Sequence, residues 1–141
     1  MYRNKLLNFV AFLGVFLTAL HTSALVFALY WRWWWFDLLT HFLGGVFVAL
    51  LLLWFFFFSG YTRVPAPRQS VLFLALVGGT LLIGVGWEAF ESVVGLTWSP
   101  EGYWFDTIVD VCMDFIGALL VYVCTAKRAQ RLLTSESIIS L

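Results

Sequence analysis

Asp37 and His41, Glu88 and Glu91, and Asp106, Asp110 and Asp114 form three short groups whose members stand three or four residues apart. That spacing puts the members of each group on one face of a helix. All three groups lie within or beside long apolar runs, where an ionised side chain near the bilayer centre costs about 2.5–3.5 kcal/mol. Six carboxylates in such a setting must be met by water, protons, basic side chains or a metal ion. Basic partners are scarce, since Arg32 is the only Lys or Arg expected on the same side of the chain. The chemistry this pattern supports is uptake of a cation: protons shared between neighbouring carboxylates, or a divalent metal. An oxygen-rich set with an imidazole suits Mg, Mn, Ca or Zn without choosing among them. A partly protonated hydrogen-bond network that ties the helices together uses the same residues. His21 reads either as one more ligand or as a helix-to-helix hydrogen-bonding group.

The elements that must position these groups are apolar runs at about residues 6–30, 38–59, 70–95 and 105–125. Each meets the roughly 20-residue length of a spanning helix. The sequence therefore predicts an all-α bundle of four transmembrane helices with short loops, forming a single integral membrane domain over residues 1–141 and ending in a basic tail from 126. A chain that is 62% hydrophobic and 11% charged cannot bury its apolar surface in a water-soluble core of this size. Arg3 and Lys5 precede the first run as in a signal peptide, but the run is too long for a cleaved leader and is expected to stay as a span. Pro65 and Pro67 stiffen the second break, and Ser99, Pro100 and Glu101 read as a helix start.

Arg3, Lys5, Arg63, Arg68, Lys127, Arg128 and Arg131 share one side of this topology, which predicts that both termini are cytoplasmic and that the protein sits in the inner or plasma membrane. Trp31, Trp33, Trp34, Trp35, Trp98 and Trp104 then form an aromatic belt on the outer side, with Trp54 and Trp87 outside it. Gly44, Gly45, Ala49, Gly78, Gly79, Gly84, Gly86, Gly117 and Ala118 offer small surfaces for close helix packing. Phe55 to Phe58 are expected to face lipid. Cys112 and Cys124, about 18 Å apart along one helix, cannot bridge and read as packing residues.

Nucleic acid is excluded as a partner by the lack of a basic stripe. Phosphate loops, zinc-type Cys/His spacing and an HExxH helix are missing. A descending aspartate series also marks CDP-alcohol phosphotransferases, but the glycine and arginine that accompany it there are absent around Asp106. Ser92 and Ser99 read as structural hydroxyls.

Phe36, Asp37, His41 and Phe42, then Trp87, Glu88 and Glu91, then Phe105, Asp106, Thr107, Asp110, Asp114, Gly117 and Ala118 together resemble the pattern of YjdF-type small inner-membrane proteins. More distantly, the chain is similar to VanZ-like proteins, with Glu91 where those tend to carry Gln and Asp114 where they tend to carry Asn. The resemblance spans Trp35 to Tyr122. It implies the fold and the polar positions, and no activity for the YjdF type; VanZ-like members are associated with glycopeptide resistance at the cell envelope.

Three functions fit these residues. The first is a cation- or proton-binding site open to the extracytoplasmic side, with Asp37, His41, Glu88, Glu91, Asp106, Asp110 and Asp114 as its candidate ligands. The second is an intramembrane metal-dependent enzyme acting on a lipid or envelope precursor. The third is an accessory subunit of a larger membrane complex. The lipid bilayer is a partner in all three, and a homo-oligomer or a larger assembly is compatible with each.

Overall fold

The computed structural model describes residues 2–61, 68–94 and 102–139, with side chains described as far as Leu132. Arg63, Pro65, Pro67, Trp98, Ser99, Pro100 and Glu101 lie outside the described residues. The elements are α1 (Tyr2–Val26), α2 (Leu29–Arg32), α3 (Trp35–Leu53), α4 (Gln69–Phe73), α5 (Gly79–Val94) and α6 (Tyr103–Ile139). π-helical turns at Trp54–Phe58 and Leu74–Gly78 extend α3 and join α4 to α5. No strand occurs among the described residues.

Four spans result: Tyr2–Val26, Trp35–Phe58, Gln69–Val94 and Tyr103–Leu132. The shortest has 24 residues, about 36 Å at ~1.5 Å per residue, enough for a hydrocarbon layer of about 30 Å. Phe12, Leu82 and Val123 are among many large apolar side chains left exposed along these helices, as lipid-facing surfaces require.

The first span begins and ends earlier than expected. α1 stops at Val26 because Ala28 takes a left-handed conformation, φ 54° and ψ 40°. The chain then turns into α2, which brings Tyr30 back beside His21. At the other limit α6 does not stop at 125: Ala126 and Ala129 are buried and the helix runs on to Ile139. Two side-chain expectations also change. Phe57 and Phe58 are buried, and the Phe58 ring meets Tyr2 edge-on at 5.2 Å, leaving only Phe55 of that run fully exposed. Cys112 and Cys124 face outward rather than into a helix contact.

The core is divided along the bundle axis. Leu6, Val10, Leu53, Leu72, Leu76 and Val121 fill the half nearer the chain ends, where the Arg128 guanidinium lies 4.8 Å from the Tyr2 ring. Buried polar groups occupy the other half, at the start of α3, the end of α5 and the upper part of α6.

α3 and α6 form the most extensive helix pair. Their backbones meet at two glycines: a Cβ on Gly45 would lie 2.8 Å from Asp114 Cα, and one on Gly117 would strike the Phe42 carbonyl and lie 2.8 Å from Val46 N. Gly86 faces open space, and a Cβ on Gly78 would meet only Leu74 one turn away, so these two do not serve packing between spans. Gly117→Ala should therefore force the pair apart and lower stability by about 1–3 kcal/mol, whereas Gly86→Ala should leave it unchanged. Thermal unfolding of the purified variants in detergent checks this.

Candidate functional site

Each helix presents its polar group by simple periodicity. On α3, Asp37 lies in the first turn and His41 one turn further, on one face. On α5, Glu88 and Glu91 stand in the last two turns. On α6, Asp106 lies in the first turn, with Asp110 and Asp114 at successive turns below it. Helix dipoles favour Asp37 and Asp106 at the helix starts and oppose Glu88 and Glu91 near the end of α5.

His41 is the hub. Its Nε2 lies 3.7 Å from Glu88 Oε1, 3.8 Å from Asp37 Oδ1 and 4.0 Å from Asp110 Oδ2, while its Nδ1 lies 3.7 Å from Asp114 Oδ2. Four carboxylates from three helices thus surround one imidazole at distances beyond hydrogen bonding. The side chains of Glu88 and Asp110 are 7% and 4% exposed. Glu88 Oε1 and Asp110 Oδ1 are buried without a hydrogen-bond partner. Potential ligand atoms of Asp37, His41 and Asp110, and likewise of His41, Glu88 and Glu91, lie within 4.8 Å of one another. A buried His/Asp/Glu group that can hold a metal ion is therefore present.

The expected residues take different positions around this hub. Asp114 faces the opposite ring nitrogen from Asp37, Glu88 and Asp110. Glu91 is half-buried and lines a cavity of about 540 Å³ together with His41, Asp37 and Asp114. Asp106, also half-buried, belongs to neither close group. His21 is taken up elsewhere: its Nδ1 is 2.7 Å from the Tyr30 hydroxyl, and its ring stands edge-on to Trp87 at 6.4 Å. Burial pushes the Tyr30 hydroxyl up to about 12, so the phenol pairs with His21 without adding an anion.

Three contributors were not placed at the site by the sequence reading, which took Gly84 as a packing surface and Thr107 only as part of the family pattern. Gly84 leaves room for the Asp114 carboxylate, which a Cβ there would strike, with Asp114 Cγ only 3.2 Å away. Thr40 donates its hydroxyl hydrogen bond to the Asp37 carbonyl at 2.8 Å and lies 3.4 Å from Asp37 Oδ1. Thr107 Oγ1 is buried and unpartnered on α6. The signal for Gly84 was available, since it stands one helical turn below Glu88, as Gly45 does below His41.

These features belong to a membrane protein. The family profile described as a predicted membrane protein family, DUF2238, matches residues 1–131, and the chain belongs to that family. Neither the curated proteins nor the solved structures include a match to it.

If Asp114 holds the Nδ1 side of His41, then Gly84→Ala and Asp114→Ala should both move the His41 Nδ1 resonance in nitrogen NMR of histidine-labelled protein. His21, paired with Tyr30, should not move.

Proposed function

We propose that the protein binds a divalent cation at His41 Nε2, between Asp37, Glu88 and Asp110, in the half of the bundle that faces the extracytoplasmic side of an inner or plasma membrane. The observation that carries this reading is the buried, unpartnered Glu88 Oε1, which faces His41 Nε2 together with Asp37 Oδ1 and Asp110 Oδ2, while the other Asp110 oxygen, Oδ1, is also buried without a partner. A carboxylate left in that state is stabilised when a cation enters. Asp114 on Nδ1 completes the arrangement: a metal-bound histidine usually gives its other N–H to a carboxylate, which fixes its orientation and raises its basicity. Ligands of a tetrahedral centre with bonds of about 2.1 Å stand about 3.4 Å apart, so the observed 3.7–4.0 Å separations close by small side-chain rotations. An imidazole among carboxylates favours Mn or Zn over Mg or Ca. Glu91 and Asp106, nearer the surface, serve as an entry path.

Orientation with both termini in the cytoplasm rests on Arg3, Lys5, Arg68, Lys127, Arg128 and Arg131, against Arg32 at the other end. Membership of the YjdF type, with a more distant VanZ-like kinship, is part of this proposal. It concerns the polar positions only.

A second reading is supported by the cavity that reaches His41 and Asp37. It has room for a substrate beside the cation, with a carboxylate such as Glu91 as general base in a metal-dependent reaction on a membrane-borne molecule.

Purified protein equilibrated with Mn or Zn should carry roughly one ion per chain, and the affinity should fall as pH is lowered because the ligands must be deprotonated. Asp110→Asn and His41→Ala should weaken binding by about tenfold or more, and Asp114→Asn by about 10- to 100-fold. Equal metal content in the wild type, Asp110→Asn and His41→Ala would reject the site.

A further inference from the structure

Two cavities flank α1 and share part of their lining. The one at the polar end has walls of Leu17, Leu25, Val48 and Ile83 and a floor that includes Asp37, His41, Glu91 and Asp114. The second, about 620 Å³, runs toward the chain ends along Leu7, Val10, Gly14 and Val15 of α1 and Leu51 of α3. Thr18 and Phe47 line both, and Thr18 is the second cavity's only polar side chain. From Leu7 to His21 the groove follows α1 for about 21 Å at ~1.5 Å per residue, longer than one leaflet of a hydrocarbon layer about 30 Å thick.

The opening is lateral. α1 packs on α3 and makes no comparable contact with α5, and Thr18, Leu25 and Ile83 at the seam are exposed. His21, with Tyr30 and Trp87, bridges the seam beside α2. A molecule reaching the floor through this seam would come from the lipid, with its chain lying along α1.

The floor fixes the chemistry of the other end. Ionised carboxylates only accept hydrogen bonds, and among the described residues no Lys or Arg lines either cavity, the imidazoles of His21 and His41 being the basic groups there. A phosphate or carboxylate head meets like charge there, whereas a hydroxyl or ammonium head donates to it. Asp37 and His41 line the cavity whereas Glu88 and Asp110 do not, so a cation on His41 Nε2 would sit at the cavity wall, beside the head group.

We propose that this groove binds a single-chain membrane amphiphile with a hydrogen-bond-donating head, hydroxyl or amine, its chain along Gly14 and Phe47 and its head between Glu91 and Asp114. The proposal deepens the reading of the same site and rests on it for the charge of the floor.

The test uses the full chain in phosphatidylcholine nanodiscs and four photoreactive long-chain probes: a fatty alcohol, a fatty amine, a fatty acid and an alkyl phosphate. Crosslinks are mapped by peptide mass spectrometry. The alcohol and the amine should label the Leu7–Ala19 stretch and Phe47 about tenfold more than the acid and the phosphate, a difference of ~1.4 kcal/mol. Thr18→Trp, at an exposed position on the shared neck, should abolish that labelling while leaving metal content intact. Glu91→Gln should raise labelling by the fatty acid. Labelling that ignores the head group, spreads evenly over Phe12, Leu82 and Val123, or survives Thr18→Trp would overturn the proposal. Loss of the Asp110→Asn effect on metal content, with groove labelling preserved, would instead overturn the cation site alone.

Discussion

A carboxylate carried into an apolar bundle loses the water that stabilises its charge, and three helices of this protein bring such groups together around one imidazole. Glu88, Asp110 and Asp114 are buried in a half of the molecule whose nearest described base is His41 itself. The helix dipole supports Asp37 and works against Glu88 and Glu91. Positive charge among these groups is therefore the constraint that the rest of the structure serves, and His41 alone supplies one charge at most. The divalent cation proposed for its Nε2 side would meet the remainder, with Asp114 facing the Nδ1 side.

The same groups explain how the helices pack. Along α3, His41 is followed at four-residue steps by Gly45 and Ala49; along α6, Asp114 is followed by Gly117 and Ala118. The polar face of each helix thus continues downward as a face of small side chains, and the two backbones close on each other there. Gly84 extends this to α5, because its missing side chain is the space that the Asp114 carboxylate occupies. Packing glycines and site acids are one construction. The tight α3–α6 contact below the acids is what holds them at a common depth above it.

α1 stands apart from that construction. It leans on α3, leaves a seam toward α5, and contributes no carboxylate; its histidine is engaged by Tyr30 of the following turn. A span fastened on one side is suited to bordering a groove. The two cavities that share Thr18 and Phe47 pass from apolar walls to an acidic floor, a gradient that would suit the proposed amphiphile lying along the membrane normal.

Hydropathy and spacing determined the four spans, the stripes Asp37–His41, Glu88–Glu91 and Asp106–Asp110–Asp114, and their convergence at one end, because helical periodicity and bilayer thickness act within a single helix. They left open how far each helix is rotated toward its neighbours. Tertiary packing alone decided that Asp114 meets Nδ1 while Glu88 and Asp110 meet Nε2, and that Asp106 stays out of both close groups. It also decided that Phe57 and Phe58 turn inward within a π-helical turn, and that α1 breaks at Ala28 so that His21 pairs with Tyr30. These outcomes depend on contacts between segments far apart in the chain, or on one residue's backbone angle, and periodicity along a single helix carries no information about either.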